Sequence, residues 1–344
     1  MRGSIDVEEI DRIVLFLHVI YINKTHAQSF SFAKLDKYDR APVILPVSSP
    51  TFLPQFPFHG TRPLQPVPTG PLEPHPNFNA HAYPPFWKTP DSRHREVQAA
   101  IRAINWDYVP KLARHLSQND TYEIQKAEGC WETNKLCSTP KVTYLPNDVI
   151  ECARPYDFGL TFDDGPLITN ASNRIDRMPY LYDFLASLNQ TATLFIDSPQ
   201  AALRAFQSGH TLCAHTWSHT HMTMLTNEQI VAELYWTIRA IKEATGVTTR
   251  CWRPSYGDVD DRVRAIAHQL GLRTITWNSD SLDWYISLAN DAEDFIRDEV
   301  DAAFKSWISA YQSGNQTHGR IVLMHESTQQ TIKVARKWIP RLKK

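Results

Sequence analysis

The chain of 344 residues is long enough for one large domain with extensions, or for two domains. Its 36 basic and 37 acidic residues leave a formal net charge of −1, so no overall field favours nucleic acid or an anionic membrane. Ten tryptophans suit stacking on sugar rings and ordinary packing equally well, and composition alone indicates a soluble, globular protein.

Residues 1–27 have the outline of a secretory signal. Residues 13–22 form a largely apolar run that is too short to span a bilayer, and small residues follow at Thr25 and Ala27. Acidic residues precede the run where a signal normally carries positive charge, so a short amphipathic helix is the alternative. We expect a secreted or cell-wall protein with no membrane span. Five Asn-x-Ser/Thr sequons favour a glycoprotein, at Asn23, Asn119, Asn170, Asn189 and Asn315.

Proline dominates the next segment, 28–90. Fourteen of the chain's 23 prolines lie between residues 42 and 90, without periodicity, which excludes helix and central strand there. We therefore expect a disordered or extended arm.

The segment 91–150 is predicted to be a helical and cysteine-containing lead-in. Apolar residues recur at helical spacing up to Ile104, after a predicted N-cap at Asp91 or Ser92. A second helical stretch is predicted over 109–116, and irregular coil follows to residue 150.

The five cysteines leave at least one thiol unpaired. We expect Cys130 to pair with Cys137 in a small loop. We expect Cys152 to pair with Cys251, which leaves Cys213 as a buried free thiol. These pairings stay open, because spacing does not fix connectivity.

From residue 151 to 342, short apolar runs alternate with helical patterns. The predicted strands are 158–162, 192–196, 211–214, 250–252, 274–277 and 321–324. The predicted helices are 178–188, 199–208, 227–245, 260–270 and 291–312. Such alternation implies a parallel sheet with helices outside it. In the clearest helix, Thr226 and Gln229 form a capping box and Gly246 ends the last turn.

Two adjacent carboxylates, Asp163 and Asp164, follow the first predicted strand and precede a Gly-Pro turn. Neighbouring side chains at a strand's end point in opposite directions, so one acid can bind a metal while the other faces a substrate or a water. The alternative is an ordinary strand cap followed by a turn.

Two histidines, His215 and His219, are four residues apart and share one face of a helical turn, where they can hold one cation. With one carboxylate they form the ligand set of a catalytic zinc site that leaves a position open for water. His221 is less suited, because a residue two positions away points elsewhere on a helix. A pair of packed or surface histidines is the alternative.

Three more polar fragments follow short apolar segments, at 253–257, 280–284 and 323–326. Each motif therefore falls at the carboxyl end of a predicted strand, where barrel active sites are built. The five fragments, in this order, resemble the NodB-homology polysaccharide deacetylases of carbohydrate esterase family four, and most of all the fungal chitin deacetylases. The resemblance covers about residues 150 to 342.

The resemblance implies an α/β fold, a distorted, incomplete (β/α) barrel at 151–342. It also implies metal-dependent hydrolysis of N-acetyl groups from N-acetylglucosamine units of chitin, giving chitosan and acetate. An acetylxylan or peptidoglycan deacetylase stays open, because the motifs are shared across substrates. A weakly active or inactive polysaccharide-binding wall protein is a further alternative, against which the intact Asp163 and His325 argue. The expected partner is chitin or another N-acetylglucosamine polymer, not nucleic acid.

The resemblance also implies a role for each motif. The metal ligands would be Asp164, His215 and His219, binding a divalent ion, zinc or alternatively cobalt. Such an ion can lower the pKa of a bound water to about 7 and polarise the carbonyl. Asp163 would be the general base, and His325 the general acid that protonates the leaving nitrogen.

The remaining motif residues would support these groups. Arg253 would keep Asp163 ionised, and Asp283, rather than Asp280, would hydrogen-bond His325 and raise its pKa. The substrate-binding residues would be Tyr256, whose backbone N–H assists the oxyanion, and Trp284 and Leu323, which wall the acetyl pocket. Ser255 stands where the family usually has a second proline, which is expected to loosen the loop that carries Tyr256.

Overall fold

The computed structural model describes residues 79–116, 129–166, 181–197, 199, 202–286 and 293–343. The predicted signal and all but the last residues of the predicted arm lie outside this set. Seven strands are present in the described ranges: β1 Phe158–Gly165, β2 Thr193–Ile196, β3 Thr211–Ala214, β4 Cys251–Trp252, β5 Arg273–Thr274, β6 Ser279–Asp280 and β7 Arg320–Leu323.

The strands form one parallel sheet in the order β5-β4-β3-β2-β1-β7-β6. β1 lies inside the sheet and is buried along nearly its whole length, as its continuous apolar run predicts. The outermost strands, β5 and β6, are consecutive in the chain, between Thr274 and Ser279.

That short connection forces the sheet to curl. Five residue steps span at most about 17 Å, whereas the outer strands of a flat seven-stranded sheet would stand about 29 Å apart. The sheet edges therefore bend toward each other into an open barrel. The predicted distorted, incomplete (β/α) barrel is confirmed.

Helices pack around this sheet. Their bounds are α1 Arg95–Ala103, α2 Glu132–Lys135, α3 Leu181–Ser187, α4 Ala202–Gln207, α5 Asn227–Thr245, α6 Asp261–Gln269, α7 Asp283–Ile286, α8 Glu293–Gln312 and α9 Gln329–Leu342. The predicted capping box of Thr226 and Gln229 and the end at Gly246 are confirmed in α5. None of the helices in the described part of the chain is long and apolar enough to cross a membrane.

Two predictions about the lead-in are wrong. The N-cap of α1 is His94, whose ring accepts a hydrogen bond from the Glu96 N–H, instead of Asp91 or Ser92. The helix predicted over 109–116 is absent there, because the chain after the 3₁₀ turn Trp106–Tyr108 is irregular up to residue 116.

The last residues of the predicted arm are ordered. Tyr83 is buried, and both Tyr83 and Phe86 stack on Trp217, with centroids 5.7 Å and 4.8 Å away. Trp217 also donates its indole N–H to the Pro85 carbonyl at 3.2 Å. The prediction of disorder is therefore wrong for residues 79–90, because three aromatic rings bury apolar surface together.

The cysteines pair differently from the prediction at one of two bridges. Cys130 is bonded to Cys137, as expected. Cys251 is bonded to Cys213, and Cys152 is the buried free thiol. The register explains the correction: β3 and β4 are adjacent, with Ala214 opposite Trp252, so the residues just before them face each other.

Candidate active site

A bulge in β1 brings both adjacent carboxylates to one site. Asp163 pairs with Phe195 of β2, but Gly165 pairs with Ile196, so Asp164 is an extra residue in the ladder. Asp164 has a φ of +64°, which turns its side chain back. The expectation that the two acids point in opposite directions is wrong, since Asp163 Oδ2 and Asp164 Oδ1 lie 3.7 Å and 3.4 Å from His215 Nε2.

His215 follows directly after β3 and is buried. Its Nδ1 lies 2.9 Å from the Arg253 carbonyl. A carbonyl can only accept, so Nδ1 carries a proton, and Nε2 is left as the ring atom that a metal ion would take. This is the tautomer that a metal ligand requires.

His219 joins the same cluster through a loop, not through the predicted helical turn. Thr216 and His219 have φ values of +66° and +50°, and Thr216 Oγ1 accepts the His219 backbone N–H at 3.2 Å. His219 Nε2 lies 3.3 Å from Asp164 Oδ1. The spacing of four residues was sufficient to bring the rings together, but the backbone that does so is irregular.

Glu233 of α5 hydrogen-bonds the loop between His215 and His219. The sequence analysis did not identify this residue. It is fully buried and accepts the backbone N–H groups of Trp217 and Ser218, each at 2.8 Å, and the Ser218 hydroxyl at 2.5 Å. The available signal was a carboxylate three residues after Ile230, inside the apolar stripe of an amphipathic helix.

The residues Asp164, His215 and His219 fit a divalent cation. One ligand atom from each lies within 4.8 Å of the others. Asp164 Oδ1 is buried and has no hydrogen-bond partner among the described residues, which a cation would satisfy. Burial opposes ionisation of Asp164, but the two imidazoles hold its pKa well below the usual value. One carboxylate and two imidazoles are also the donor set of open zinc sites.

Arg253 and Asp163 form a buried ion pair beside the cluster. The guanidinium donates to Asp163 Oδ1 at 2.6 Å, to Thr161 Oγ1 at 2.9 Å and to the Thr276 carbonyl at 2.8 Å. Both side chains are almost completely buried. The ion pair fixes Asp163 Oδ1 and leaves Oδ2 3.7 Å from His215 Nε2.

His325 stands at the end of β7, in a β-bridge with Asp163. Asp283 accepts the His325 backbone N–H at 2.9 Å and lies 2.7 Å from Nδ1. Burial lowers the pKa of His325, but Asp283, with help from Asp163 and Asp164, raises it to about 9. Asp280 instead accepts the Leu282 N–H at 2.8 Å, so the preference for Asp283 as the partner of His325 agrees with the geometry.

Comparisons with known proteins find similar sequences and structures. A family model described as polysaccharide deacetylase matches residues 152–275. Over this stretch the chain resembles the polysaccharide deacetylases. Chitin deacetylase 2 of Cryptococcus neoformans var. grubii is 43% identical to it over 279 residues, which cover 76% of this chain and 59% of the relative. A chitin deacetylase of Amylomyces rouxii is 36% identical over 266 residues, covering 72% of this chain and 60% of the relative.

The match to these relatives is partial on both sides. The chain spans about three fifths of the length of the two curated relatives. A solved structure of the chitin deacetylase from Colletotrichum lindemuthianum has a TM-score of 0.48 at 22% identity, covering 58% of this chain and 86% of that one. Residues 79–151 lie outside the stretch matched by the family model.

The loop after β4 presents Tyr256 next to the cluster of Asp164, His215 and His219. Tyr256 has a φ of +59°, is exposed, and stacks on His221 with centroids 4.3 Å apart. Its ring also meets His219 edge-on at 4.6 Å. The expected loosening at Ser255 is wrong, because this buried side chain hydrogen-bonds Thr216 Oγ1 at 2.8 Å.

The two predicted pocket-wall residues differ in exposure. Leu323 is buried in β7, two residues before His325, and pairs with Asp280 of β6. Trp284 is partly buried at the start of α7, with its ring 4.3 Å from that of Tyr285. Their contact with an acetyl group stays a prediction.

Proposed function

We propose that this chain is a metal-dependent hydrolase that removes acetyl groups from N-acetylglucosamine units of chitin, giving chitosan and acetate. The observation that carries the proposal is the bridge between Asp163 and His325 beside the metal-binding cluster. A candidate base and a candidate acid thus meet at the ends of paired strands. Amide hydrolysis needs both, since water must lose a proton and the amine must gain one.

The proposed ion is zinc, held by Asp164, His215 and His219, with cobalt as the alternative. A divalent ion supplies an activated water and polarises the amide carbonyl. Asp163 would take the proton from the attacking water, and Arg253 would keep Asp163 ionised until then. The backbone N–H of Tyr256 would donate to the oxygen of the amide as negative charge develops there.

His325 would supply the proton for the leaving nitrogen. Its raised pKa supports this role, because it keeps the ring protonated at neutral pH. Asp283 would position the ring, while Trp284 and Leu323 would bound the acetyl group. Asp163 and His325 would each keep one role, because one proton is taken from the water and another is given to the leaving nitrogen.

Chitin is the proposed polymer because the two curated relatives described above are named chitin deacetylases. We propose that residues 151–342 form the catalytic domain, with 91–150 as its lead-in. Export to the outside or the cell wall is also proposed. In its support, the sequons at Asn189 and Asn315 are both exposed, where an oligosaccharide could be attached.

The test is acetate release from chitin oligomers, acetylxylan and peptidoglycan, with the metal content measured on the same samples. Asp163→Asn and His325→Ala should each lose activity by about 10²- to 10⁴-fold. Both should still bind about one divalent ion per chain, whereas His215→Ala should lose it.

The matched controls are Asp107→Asn and His318→Ala, both exposed and both outside the five motifs. They should keep both metal and activity. A wild-type protein that stays active after exhaustive chelation would refute metal dependence. Loss of metal in His325→Ala would make His325 a ligand and would refute its role as the acid.

A further inference from the structure

Trp87 is exposed and held in a strained backbone conformation. Its side chain is 60% exposed, and its φ is +63°. Bulky residues avoid this left-handed region, at a cost of about 1–2 kcal/mol. Single exposed aromatic residues are common on protein surfaces, but a strained one needs a reason.

The segment around Trp87 is fixed on the loop that carries the two histidines. Phe86 stacks on Trp217 with centroids 4.8 Å apart and an interplanar angle of 19°. On the other side of Trp87, two residues after it, Thr89 Oγ1 lies 3.5 Å from Ser218 Oγ. Trp217 and Ser218 lie between His215 and His219 in the chain, so contacts on both sides of Trp87 set its position relative to the candidate metal site.

Trp87 consequently stands next to a candidate ligand. Its ring centroid is 6.1 Å from that of His219, at an angle of 56°. The exposed Tyr256 meets the same His219 ring at 4.6 Å. Two exposed aromatic rings, one from residues 79–90 and one from the loop after β4, therefore adjoin one edge of the site.

We infer that Trp87 forms a sugar-binding subsite, on which a pyranose unit next to the reacting N-acetylglucosamine stacks. This inference rests on the proposed function, because it extends the binding site for the same polymer. A β-linked hexosamine carries its hydroxyl groups around the rim and presents C–H groups on its faces. An indole face removes such a surface from water while the rim stays solvated. The contacts of Phe86 and Thr89 with the histidine loop keep the Trp87 ring beside His219 in spite of this strain, so the subsite is formed before substrate binds.

The subsite makes activity depend on substrate length. The test compares the deacetylation kinetics of wild type, Trp87→Gly, Trp87→Ala and Trp87→Phe on the hexamer and the dimer of N-acetylglucosamine. Loss of the ring should raise KM for the hexamer by about three- to tenfold and lower the hexamer-to-dimer ratio of kcat/KM to match. Trp87→Phe should recover part of that preference.

Trp87→Gly separates binding from folding. Glycine adopts positive φ without strain, so this variant should have a Tm equal to or above that of wild type while it loses the length preference. The matched control is Tyr156→Ala, since Tyr156 is 47% exposed and contacts the Gly314 carbonyl and Tyr311. It should keep the wild-type length preference.

Calorimetric titration of the hexamer into Asp163→Asn, with and without Trp87→Gly, measures binding without turnover. Weaker binding in the double variant supports the subsite even if wild type releases no acetate, an outcome that would refute only the proposed function. Unchanged KM, length preference and hexamer affinity in the Trp87 variants would overturn the subsite and leave the deacetylase intact. A wild-type chain that neither binds nor deacetylates the oligomers would overturn both.

Discussion

At the scale of single residues, His325 shows how a neighbour sets the charge of a proton donor. Its ring is mostly buried, which by itself favours the neutral form. The Asp283 carboxylate reverses this preference through its charge and by accepting a hydrogen bond from Nδ1–H, and it also accepts the backbone N–H of His325. The second bond holds the carboxylate in register with the ring even when the ring is neutral.

The pH profile of deacetylation should report this pair. The pKa of His325 is raised to about 9, so the proposed acid is protonated below that pH and is lost as the pH rises through it. We expect kcat/KM to fall on an alkaline limb near pH 9. In Asp283→Asn the raising charge is gone, so the limb should move to lower pH, whereas Asp107→Asn should leave it in place. If the alkaline limb stays at the same pH in Asp283→Asn, it does not report the titration of His325.

The sequence predicted which residues lie at the site, but it did not predict the directions in which their side chains point. Motif order at strand ends named the ligands, and the structure brings those three side chains together. The positive φ values at Asp164, Thr216 and His219 were unpredictable, because non-glycine residues rarely adopt them without a tertiary environment that compensates. Local pattern therefore predicted which groups meet, and tertiary contacts determine how.

At the scale of elements, α5 matters for chemistry as well as for packing. Its apolar stripe lies against the core, and Glu233 within that stripe accepts three hydrogen bonds from the loop between His215 and His219. Burial raises the pKa of Glu233, while the donors from Ser218 and Trp217 oppose that shift. The helix thus stabilises the loop through the hydrogen bonds that the Glu233 carboxylate accepts.

Removing this support should weaken the metal site without removing a ligand. Glu233→Ala should reduce metal affinity by about 10- to 100-fold, as loss of outer-shell partners typically does. Glu228→Ala is the control, because Glu228 is exposed in the first turn of the same helix. Competition with a chelator measures both affinities. Equal affinities in the two variants would show that the loop holds its shape without Glu233.

Element prediction succeeded where a pattern was long and local. The 19 residues of α5 carry their cap, stripe and terminating glycine in the sequence itself. β6 has two residues, too few to show any period, and exists because it pairs with β7. α9 was missed although Ile332, Ala335 and Ile339 recur at helical spacing, because Pro340 in its last turn normally marks a break.

At the scale of the whole molecule, the disulfides restrain segments of different length. Cys213–Cys251 ties β3 to β4 across 38 residues, and Cys130–Cys137 closes a loop with a sequence separation of 7. Of the two predicted pairings only the short one was correct, since the long one depends on which strands are neighbours. The closing of the barrel has the same origin, because it follows from the order of strands and not from any one segment.

Loss of the longer bridge should destabilise the fold more. The chain-entropy relation gives an advantage of about 1.5 kcal/mol to the 38-residue loop over the short one. We expect the double variant Cys213→Ala, Cys251→Ala to unfold at lower urea than Cys130→Ala, Cys137→Ala. Urea titration with matched m-values provides the comparison. The reverse order would mean that native-state contacts, and not loop closure, dominate the contribution of these bridges.

The pairing of β1 with β7 also means that the site cannot be completed until late in translation. Phe158 lies opposite Arg320, so two neighbouring strands leave the ribosome far apart in time, by roughly ten to thirty seconds at usual elongation rates. In that interval β1 has one edge without its partner, a state in which nascent chains depend on chaperones. The three candidate metal ligands are translated within that interval, whereas His325 follows it. Under the proposed function, a nascent chain therefore carries its metal ligands before its acid, and it can become active only once translation has delivered the final strand.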